Sequence, residues 1–97
     1  MEQIHTMPID EIIRQVTLIC HRHHITSLYL IGSFAKGNAT PRSDIDFAVK
    51  GCHNLLAPED SIAEIETLRK IDIFDYDHIK NKFLLEDIKK YGKQKRI

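Results

Sequence analysis

The sequence is poor in the residues that mark several classes of protein. Its 97 residues include no tryptophan, three prolines, four glycines and two cysteines, Cys20 and Cys52, which lie 32 positions apart. Two such cysteines cannot form a dense disulfide framework, so reduced thiols in a cytoplasmic protein are the simplest interpretation. No apolar run approaches the roughly 18–20 residues of a membrane span, and the N-terminus lacks a signal-peptide pattern. We therefore expect neither a secreted nor a membrane protein.

An excess of charge of either sign is also missing. The chain has 14 basic and 14 acidic residues and a formal net charge of zero. Proteins that bind nucleic acid through bulk electrostatics normally show a basic excess, which makes direct nucleic-acid binding a poor hypothesis. The length fits one small domain, residues 1–97, and a domain of this size buries a modest fraction of its surface. A partner protein or a homo-oligomer is therefore expected.

Hydrophobic periodicity places helices and strands in alternation along the chain, which predicts an α/β domain with a small mixed sheet of three strands flanked by helices. Apolar residues recur at helical spacing in three segments, and Leu68 and Phe83 fall on the predicted core stripes. Ser33 is a candidate N-cap for a short helix after the first strand. We predict helices over 8–23, 34–36, 58–69 and 79–91, and strands over 27–31, 44–49 and 71–74.

One stretch, GSFAKGNATPRSDID from Gly32 to Asp46, carries the strongest chemical signal. Asp44 and Asp46 alternate with Ile45 and Phe47, and a period of two places both carboxylates on one face of a strand. Two carboxylates on one strand face, roughly 7 Å apart at the backbone, repel each other unless a cation lies between them. Mg²⁺ is commonly bound by one or two carboxylates together with substrate phosphates.

Two other site hypotheses are weaker. Gly32 and Gly37 bracket four residues, as in a phosphate-binding P-loop, but Asn38 and Ala39 follow where that motif requires lysine and serine or threonine. Cys20 and His24 are four apart at the end of a helix and could form a metal pair, although polar residues at a helix end are the simpler interpretation. The sequence therefore favours the acidic stretch as the functional centre.

The acidic stretch resembles the signature of the nucleotidyltransferase family that includes DNA polymerase beta and the aminoglycoside nucleotidyltransferases. That signature is Gly-Ser, about ten residues and then Asp-x-Asp, and the resemblance is closest to the minimal, single-domain members. It extends over roughly residues 12–92. It implies a nucleotidyltransferase fold in which a third carboxylate follows the middle helix. Asp72 matches that position best. Asp75 is the second candidate, and it ranks lower because its simpler role is in the turn and helix cap that follow.

The resemblance also implies roles for individual residues. Asp44, Asp46 and Asp72 would be the catalytic carboxylates and would bind two Mg²⁺ ions, and ATP or another nucleoside triphosphate would be the substrate. Five further residues would bind the nucleotide: Gly32, Ser33, Lys36, Arg42 and Ser43. For the two basic residues, Lys36 and Arg42, the sequence leaves a second interpretation open: both could be solvated side chains of a loop. Minimal members usually carry arginine at the position of Lys36, so the charge is kept but the bidentate fork is lost.

Minimal nucleotidyltransferases that resemble this chain typically pair with a helical HEPN-domain protein encoded beside them. The resemblance implies that AMP is transferred from ATP to a tyrosine or other hydroxyl of that toxin, so that the chain acts as an antitoxin. Two alternatives stay open: a nucleotide-binding regulatory subunit without catalysis, and a transferase that modifies a small molecule in a pocket completed by a partner. The basic tail over 93–97 is either solvated or contacts RNA, nucleotide or an acidic partner.

Overall fold

The computed structural model describes residues 7–97, so residues 1–6 of the predicted domain lie outside the description. In chain order the elements are α1 (Ile9–Arg22), β1 (Ser27–Ile31), α2 (Gly32–Lys36), β2 (Ile45–Lys50), α3 (Leu56–Ala63), β3 (Ile71–Asp75), a 3₁₀ turn (Tyr76–His78), α4 (Lys82–Tyr91) and β4 (Lys93–Lys95). The predicted mixed α/β class is confirmed. The sheet has four strands instead of three because the basic tail pairs with β1 as β4. None of the helices within residues 7–97 has the length and apolar character to cross a bilayer.

The sheet has the strand order β3-β2-β1-β4. β1 pairs with β2 and with β4 in the antiparallel direction, whereas β2 pairs with β3 in the parallel direction. A parallel pair needs a crossover connection, and α3 provides it. This arrangement brings the end of β1 and the starts of β2 and β3 to one edge of the sheet. The sequence-predicted site residues at that edge come from three separate segments of the chain.

Helices cover both faces of the sheet and define two apolar clusters. The larger cluster packs α1 and α3 against residues such as Leu28, Ile45 and Phe47, all fully buried. The smaller one joins Ile88 of α4 to Ile31 and Ala48 on the opposite face. Strand alternation puts Asp46 on the same face as Ala48, away from the larger cluster. Asp46, the acidic residue of β2, therefore lies on the α4 side of the sheet.

The predicted helix over 58–69 is wrong at both ends. Helix α3 begins at Leu56, where the backbone amide donates to the Asn54 side chain at 3.0 Å, and Pro58 is accommodated in the first turn. The helix ends at Ala63, because the chain must then turn to reach β3, and the amide of Ile65 bonds to the carbonyl of Ile62 instead of continuing the helix. Leu68, predicted to face the core, is 86% exposed.

The predicted helix over 79–91 begins later than expected, at Lys82. The side chain of Asn81 accepts hydrogen bonds from the amides of Phe83 and Leu84, and this N-cap fixes the start of α4. The buried side of α4 then contains Leu84 and Ile88, four residues apart. Phe83, predicted to pack in the core, lies on the outer side and is 84% exposed.

Candidate functional site

The Gly-Ser turn and the Asp-x-Asp pair meet at the edge of the sheet. Ile31 is paired with Asp46 in the antiparallel register, so the residues after β1 lie beside the start of β2. Gly32 has a φ of +71°, and a Cβ atom added there would lie only 2.7 Å from Oδ2 of Asp46. The absence of a side chain at Gly32 therefore lets the backbone approach the Asp46 carboxylate directly.

Asp46 and Asp72 are register partners on the parallel strands β2 and β3. Neighbouring strands lie about 4.8 Å apart, and partners in register point to the same face, so the two side chains are adjacent. Burial raises the pKa of Asp46, and the negative charges of Asp72 and then Asp44 raise the pKa further. Lys70 offsets this shift only in part, and its Nζ lies 3.8 Å from Oδ1 of Asp72. The site therefore carries more negative charge than its neighbours compensate.

Asp44 lies just before β2 and is exposed, whereas the sequence placed it within the strand. Its backbone is held on both sides. The carbonyl of Ser43 accepts a hydrogen bond from Nη1 of Arg69 at 2.8 Å, and the amide of Ile45 donates to the carbonyl of Lys70 at 2.9 Å. Both contacts come from the short segment that leads into β3. The backbone around Asp44 is thus held on one side by the Arg69 side chain and on the other by the first hydrogen bond of the β2–β3 pair.

The donor set fits a hard divalent cation. The candidate ligands are carboxylate oxygens, which Mg²⁺ prefers, and their mutual repulsion is relieved by a bound cation. Among residues 7–97, however, no group of three or more histidine, cysteine or acidic side chains is placed so that it could hold a metal ion. Mg²⁺ usually takes one or two carboxylates and completes its shell with water and substrate phosphates, so an incomplete protein shell is compatible with this metal.

Asp75 is engaged in local structure, as the sequence suggested. Its carboxylate accepts a hydrogen bond from the amide of Asp77 at 3.1 Å and pairs with Nδ1 of His78 at 2.7 Å. It is also the register partner of Val49, three positions along the strand from the Asp46 pair. Asp72 is therefore the carboxylate of β3 that lies next to Asp46.

The predicted nucleotide-binding residues are not all brought together. The prediction that Ser33 caps α2 is wrong, because the positive φ of Gly32 turns the chain one residue earlier and places Ser33 inside the helix, whose N-cap Ile31 makes no side-chain bond. Lys36 is directed to α4, with Nζ 2.8 Å from Oδ2 of Asp87. The Ser43 hydroxyl accepts from the amide of Thr40 at 2.7 Å, and Arg42 is exposed in the same loop.

Sequence reasoning missed two basic residues at the site, Arg69 and Lys70. Their position at the end of a predicted helix suggested only a favourable interaction with the helix dipole. In the structure they lie in the connection to β3, where both hold the backbone around Asp44. Their spacing, two or three residues before Asp72, was the available signal, but pattern alone does not distinguish such residues from solvated cations.

The Cys20–His24 metal hypothesis gains no support. Cys20 is fully buried in the larger cluster, where burial raises the pKa of its thiol to about 12. His24 is exposed after the end of α1, in a left-handed conformation with a φ of +57°. A zinc site takes three or four protein ligands, and within residues 7–97 no cluster of histidine, cysteine and acidic side chains supplies them.

A mixed sheet that holds a Gly-Ser turn against an Asp-x-Asp pair, with a third carboxylate in register beside it, defines a domain of the nucleotidyltransferase class. The family model described as "Polymerase beta, Nucleotidyltransferase" matches residues 11–94, and the chain belongs to this family.

The solved structures similar to the chain include two toxin–antitoxin structures. One, a toxin–antitoxin crystal structure with AMP-PNP, has a TM-score of 0.64 at 20% identity, covering 84% of this chain and 69% of the other. The second, a mutant of the toxin–antitoxin MntA-HpeT with two aspartates changed to glutamate, has a TM-score of 0.59 at 16% identity, covering 91% and 71%. At these identities the likeness establishes the fold alone. No curated protein sequence matches the chain.

Proposed function

We propose that this chain is a Mg²⁺-dependent nucleotidyltransferase that transfers AMP from ATP to a tyrosine or other hydroxyl of a helical HEPN-domain toxin and thereby acts as an antitoxin. The observation that carries the proposal is the contact of Gly32 with Asp46, together with the register of Asp46 and Asp72. These two observations bring together Gly32, Asp46 and Asp72, and Asp44 lies two residues before Asp46. Membership of the nucleotidyltransferase family supports the reaction class.

Three carboxylates are proposed to hold two Mg²⁺ ions: Asp44 and Asp46 would contact both, and Asp72 would contact one. When bound, the metal would neutralise phosphate charge and favour ionisation of the acceptor hydroxyl. Gly32 and Ser33 are proposed to bind the β- and γ-phosphates through backbone amides and the serine hydroxyl. Lys36, Arg42 and Ser43 are the further nucleotide contacts, and Lys36 must leave Asp87 to take that role.

The proposed reaction is an in-line displacement at the α-phosphorus of ATP. The acceptor oxygen forms a bond to that phosphorus, the bond between the phosphorus and the oxygen bridging to the β-phosphate breaks, and pyrophosphate leaves. An Asp72 carboxylate oxygen receives the proton of the acceptor hydroxyl. Positioning and charge stabilisation account for most of the catalysis in phosphoryl-group transfer, so a domain of this size can host it.

The partner in this proposal is a toxin protein, and the structural neighbours support that choice. Both belong to toxin–antitoxin structures, one of which contains an ATP analogue, and the other carries changes at two aspartates two positions apart. Asp44 and Asp46 have the same spacing in this chain. The HEPN class of the toxin comes from the resemblance of the signature, and ATP as donor is consistent with the analogue in the first neighbour.

The proposal is tested by label transfer to the protein encoded beside this chain. The two proteins are purified separately and incubated with Mg²⁺ and ATP labelled at either the α- or the γ-phosphate. We expect the α label to appear on the partner while the γ label is released with pyrophosphate. Transfer of the γ label would identify a phosphotransferase, and absence of both labels from every acceptor would contradict the proposed transfer.

A second candidate function is nucleotide binding without catalysis, as a regulatory subunit. It is favoured by one observation, that no three carboxylates of residues 7–97 are placed together so that they could hold a metal ion. This alternative predicts ATP binding that depends on Ser33 but no release of pyrophosphate. A coupled assay for pyrophosphate with the partner present separates the two candidates.

A further inference from the structure

Arg69 contacts two parts of the site that are distant in sequence. Its Nη1 atom donates to the carbonyl of Ser43 at 2.8 Å, immediately before Asp44. Its Cζ atom lies 5.3 Å from the ring centroid of Phe34, the residue that follows Ser33 in α2. One planar guanidinium therefore bridges the loop before β2 and the helix of the Gly-Ser turn, while its own backbone leads into the strand of Asp72.

The surroundings of Arg69 differ from those of an ordinary surface cation. Among residues 7–97, no carboxylate lies within 4 Å of its guanidinium, and its Nε atom is buried without a hydrogen-bond partner. Burying a charged group with an unpaired donor is unfavourable. An ion pair with a carboxylate, the usual reason for a half-buried arginine, is thus missing. The contacts that Arg69 does make are with the backbone next to Asp44 and with Phe34 of α2.

The contact matters because Asp44 has no strand ladder of its own. It precedes β2, so its peptide groups are oriented by Arg69 on one side and by the Lys70 carbonyl on the other. If the arginine bond is lost, the peptide group between Ser43 and Asp44 loses this hydrogen bond, and the Asp44 carboxylate gains freedom relative to Asp46. Groups that orient metal ligands typically contribute 10–100-fold in metal affinity or activity.

We propose that Arg69 is a positioning residue that holds Asp44 in the orientation required for metal binding and keeps the Gly-Ser helix in place against it. This inference rests on the proposed function, because it assigns Asp44 as a metal ligand. In this proposal Arg69 acts on Asp44 through the backbone of that ligand, so its effect on metal affinity depends on the Asp44 carboxylate.

The test measures Mn²⁺ affinity of the complete chain without nucleotide, by electron paramagnetic resonance. Arg69→Met is expected to weaken Mn²⁺ binding about 10-fold. Arg22→Met makes the same chemical change at an exposed arginine of α1 and is expected to leave the affinity unchanged. Arg69→Lys keeps the charge but has no planar guanidinium to stack on Phe34. Its Mn²⁺ affinity is therefore expected to lie between those of Arg69→Met and the wild type. Wild-type affinity in Arg69→Met would overturn the proposal.

A double-mutant cycle separates positioning from a general structural role. In an Asp44→Asn background the Arg69→Met change is expected to weaken Mn²⁺ binding by no more than about twofold, because the oriented ligand is already gone. A full 10-fold loss in that background would overturn the proposal. If Arg69→Met does not fold, Phe34→Leu removes the ring beneath the guanidinium, and an affinity loss of about threefold is expected; no loss would overturn the proposal.

These readouts are independent of nucleotidyl transfer. If the wild type transfers no label but the cycle behaves as stated, the proposed function fails and the positioning role stands. If label is transferred and Arg69→Met binds Mn²⁺ normally, the positioning role fails and the proposed function stands.

Discussion

At the scale of single residues, Asp46 is the side chain at which burial and repulsion between carboxylates both disfavour a negative charge. Its carboxylate lies against the backbone of Gly32 and next to Asp72, and burial is the first cause of its raised pKa. Such a group is unfavourable for stability when it is ionised and no cation is bound. A bound divalent cation would offset this repulsion between the carboxylates. The stability of the metal-free protein is therefore linked to its proposed chemistry.

Replacing Asp46 should therefore separate stability from activity. Asp46→Asn is expected to raise the melting temperature of the metal-free protein at pH 7, because it removes a half-buried charge. Transfer should fall at least about 100-fold, since even indirect partners of a metal commonly contribute 10–100-fold. Calorimetry without divalent ions, together with the label assay, measures both effects. A lower melting temperature, or transfer near the wild-type rate, would contradict the assignment.

The pH dependence of this difference has a definite sign. Because the pKa of Asp46 is raised above its ordinary value of 3.8, the folded protein binds more protons than the unfolded chain between the two values. The stability linked to this group is complete below 3.8 and is lost as the pH rises through the folded pKa. The advantage of Asp46→Asn should thus be small at low pH and largest at neutral pH. A constant difference across a pH series of melting temperatures would show that charge is not its cause.

Gly32 offers a test of the close approach to Asp46. Gly32→Ala places a methyl group 2.7 Å from the Asp46 carboxylate in a backbone conformation with positive φ. Gly37→Ala is the matched control, because Gly37 has a φ of +79° but no atom within 4 Å of the added methyl group. Both should lose about 1–2 kcal/mol of stability in urea unfolding from backbone strain. Only Gly32→Ala should also weaken Mn²⁺ binding, and equal binding by the two variants would argue against the contact.

At the scale of elements, three of the four strands and the ends of α1 were predictable, whereas β4, both ends of α3 and the start of α4 were not. Short apolar runs located β1 and β3, and the alternation around Asp46 located β2 to within one residue. The start of α4 depends on the Asn81 cap, which the apolar spacing of Ile79 and Phe83 masked. The early end of α3 and the role of Arg69 depend on contacts between distant segments, which a local pattern does not contain.

Lys36 of α2 forms an ion pair with Asp87 of α4, and this pair competes with the proposed phosphate contact of Lys36. The 2.8 Å contact between Lys36 and Asp87 involves partly exposed side chains, so it should contribute less than about 1 kcal/mol to stability. If Lys36 also binds phosphate, Lys36→Met should raise the KM for ATP about 10-fold, and Asp87→Asn should change it less than twofold. Both variants should melt alike. Equal KM shifts in the two variants would limit Lys36 to joining the helices.

At the scale of the whole molecule, the basic tail belongs to the fold. β4 pairs with β1 over Lys93–Lys95, and Ile97 packs against the larger apolar cluster. The sequence left the tail as either solvated or a binding segment, because its charge hides the pairing. The exposed Lys93 and Gln94 side chains still leave room for a contact with an acidic partner.

Removing residues 93–97 should therefore destabilise the protein by about 2 kcal/mol, mostly through loss of the Ile97 contacts. The double change Lys93→Ala and Gln94→Ala alters only exposed side chains and should stay within about 0.5 kcal/mol of the wild type. Urea unfolding measures both. A truncated chain as stable as the wild type would contradict the structural role, and normal stability with weakened partner capture in the double variant would identify a binding role as well.

The acidic edge of the sheet is proposed to support Mg²⁺-dependent transfer of a nucleoside monophosphate, and labelled ATP allows that transfer to be observed. The wild type, Asp46→Asn and the control Asp60→Asn, an exposed aspartate of α3, are each incubated with the partner, Mg²⁺ and ATP labelled at the α-phosphate. We predict label on the partner with the wild type and with Asp60→Asn, and none with Asp46→Asn or after chelation of the metal. Label that persists in Asp46→Asn, or that never appears with the wild type, would show that the acidic edge does not catalyse this transfer.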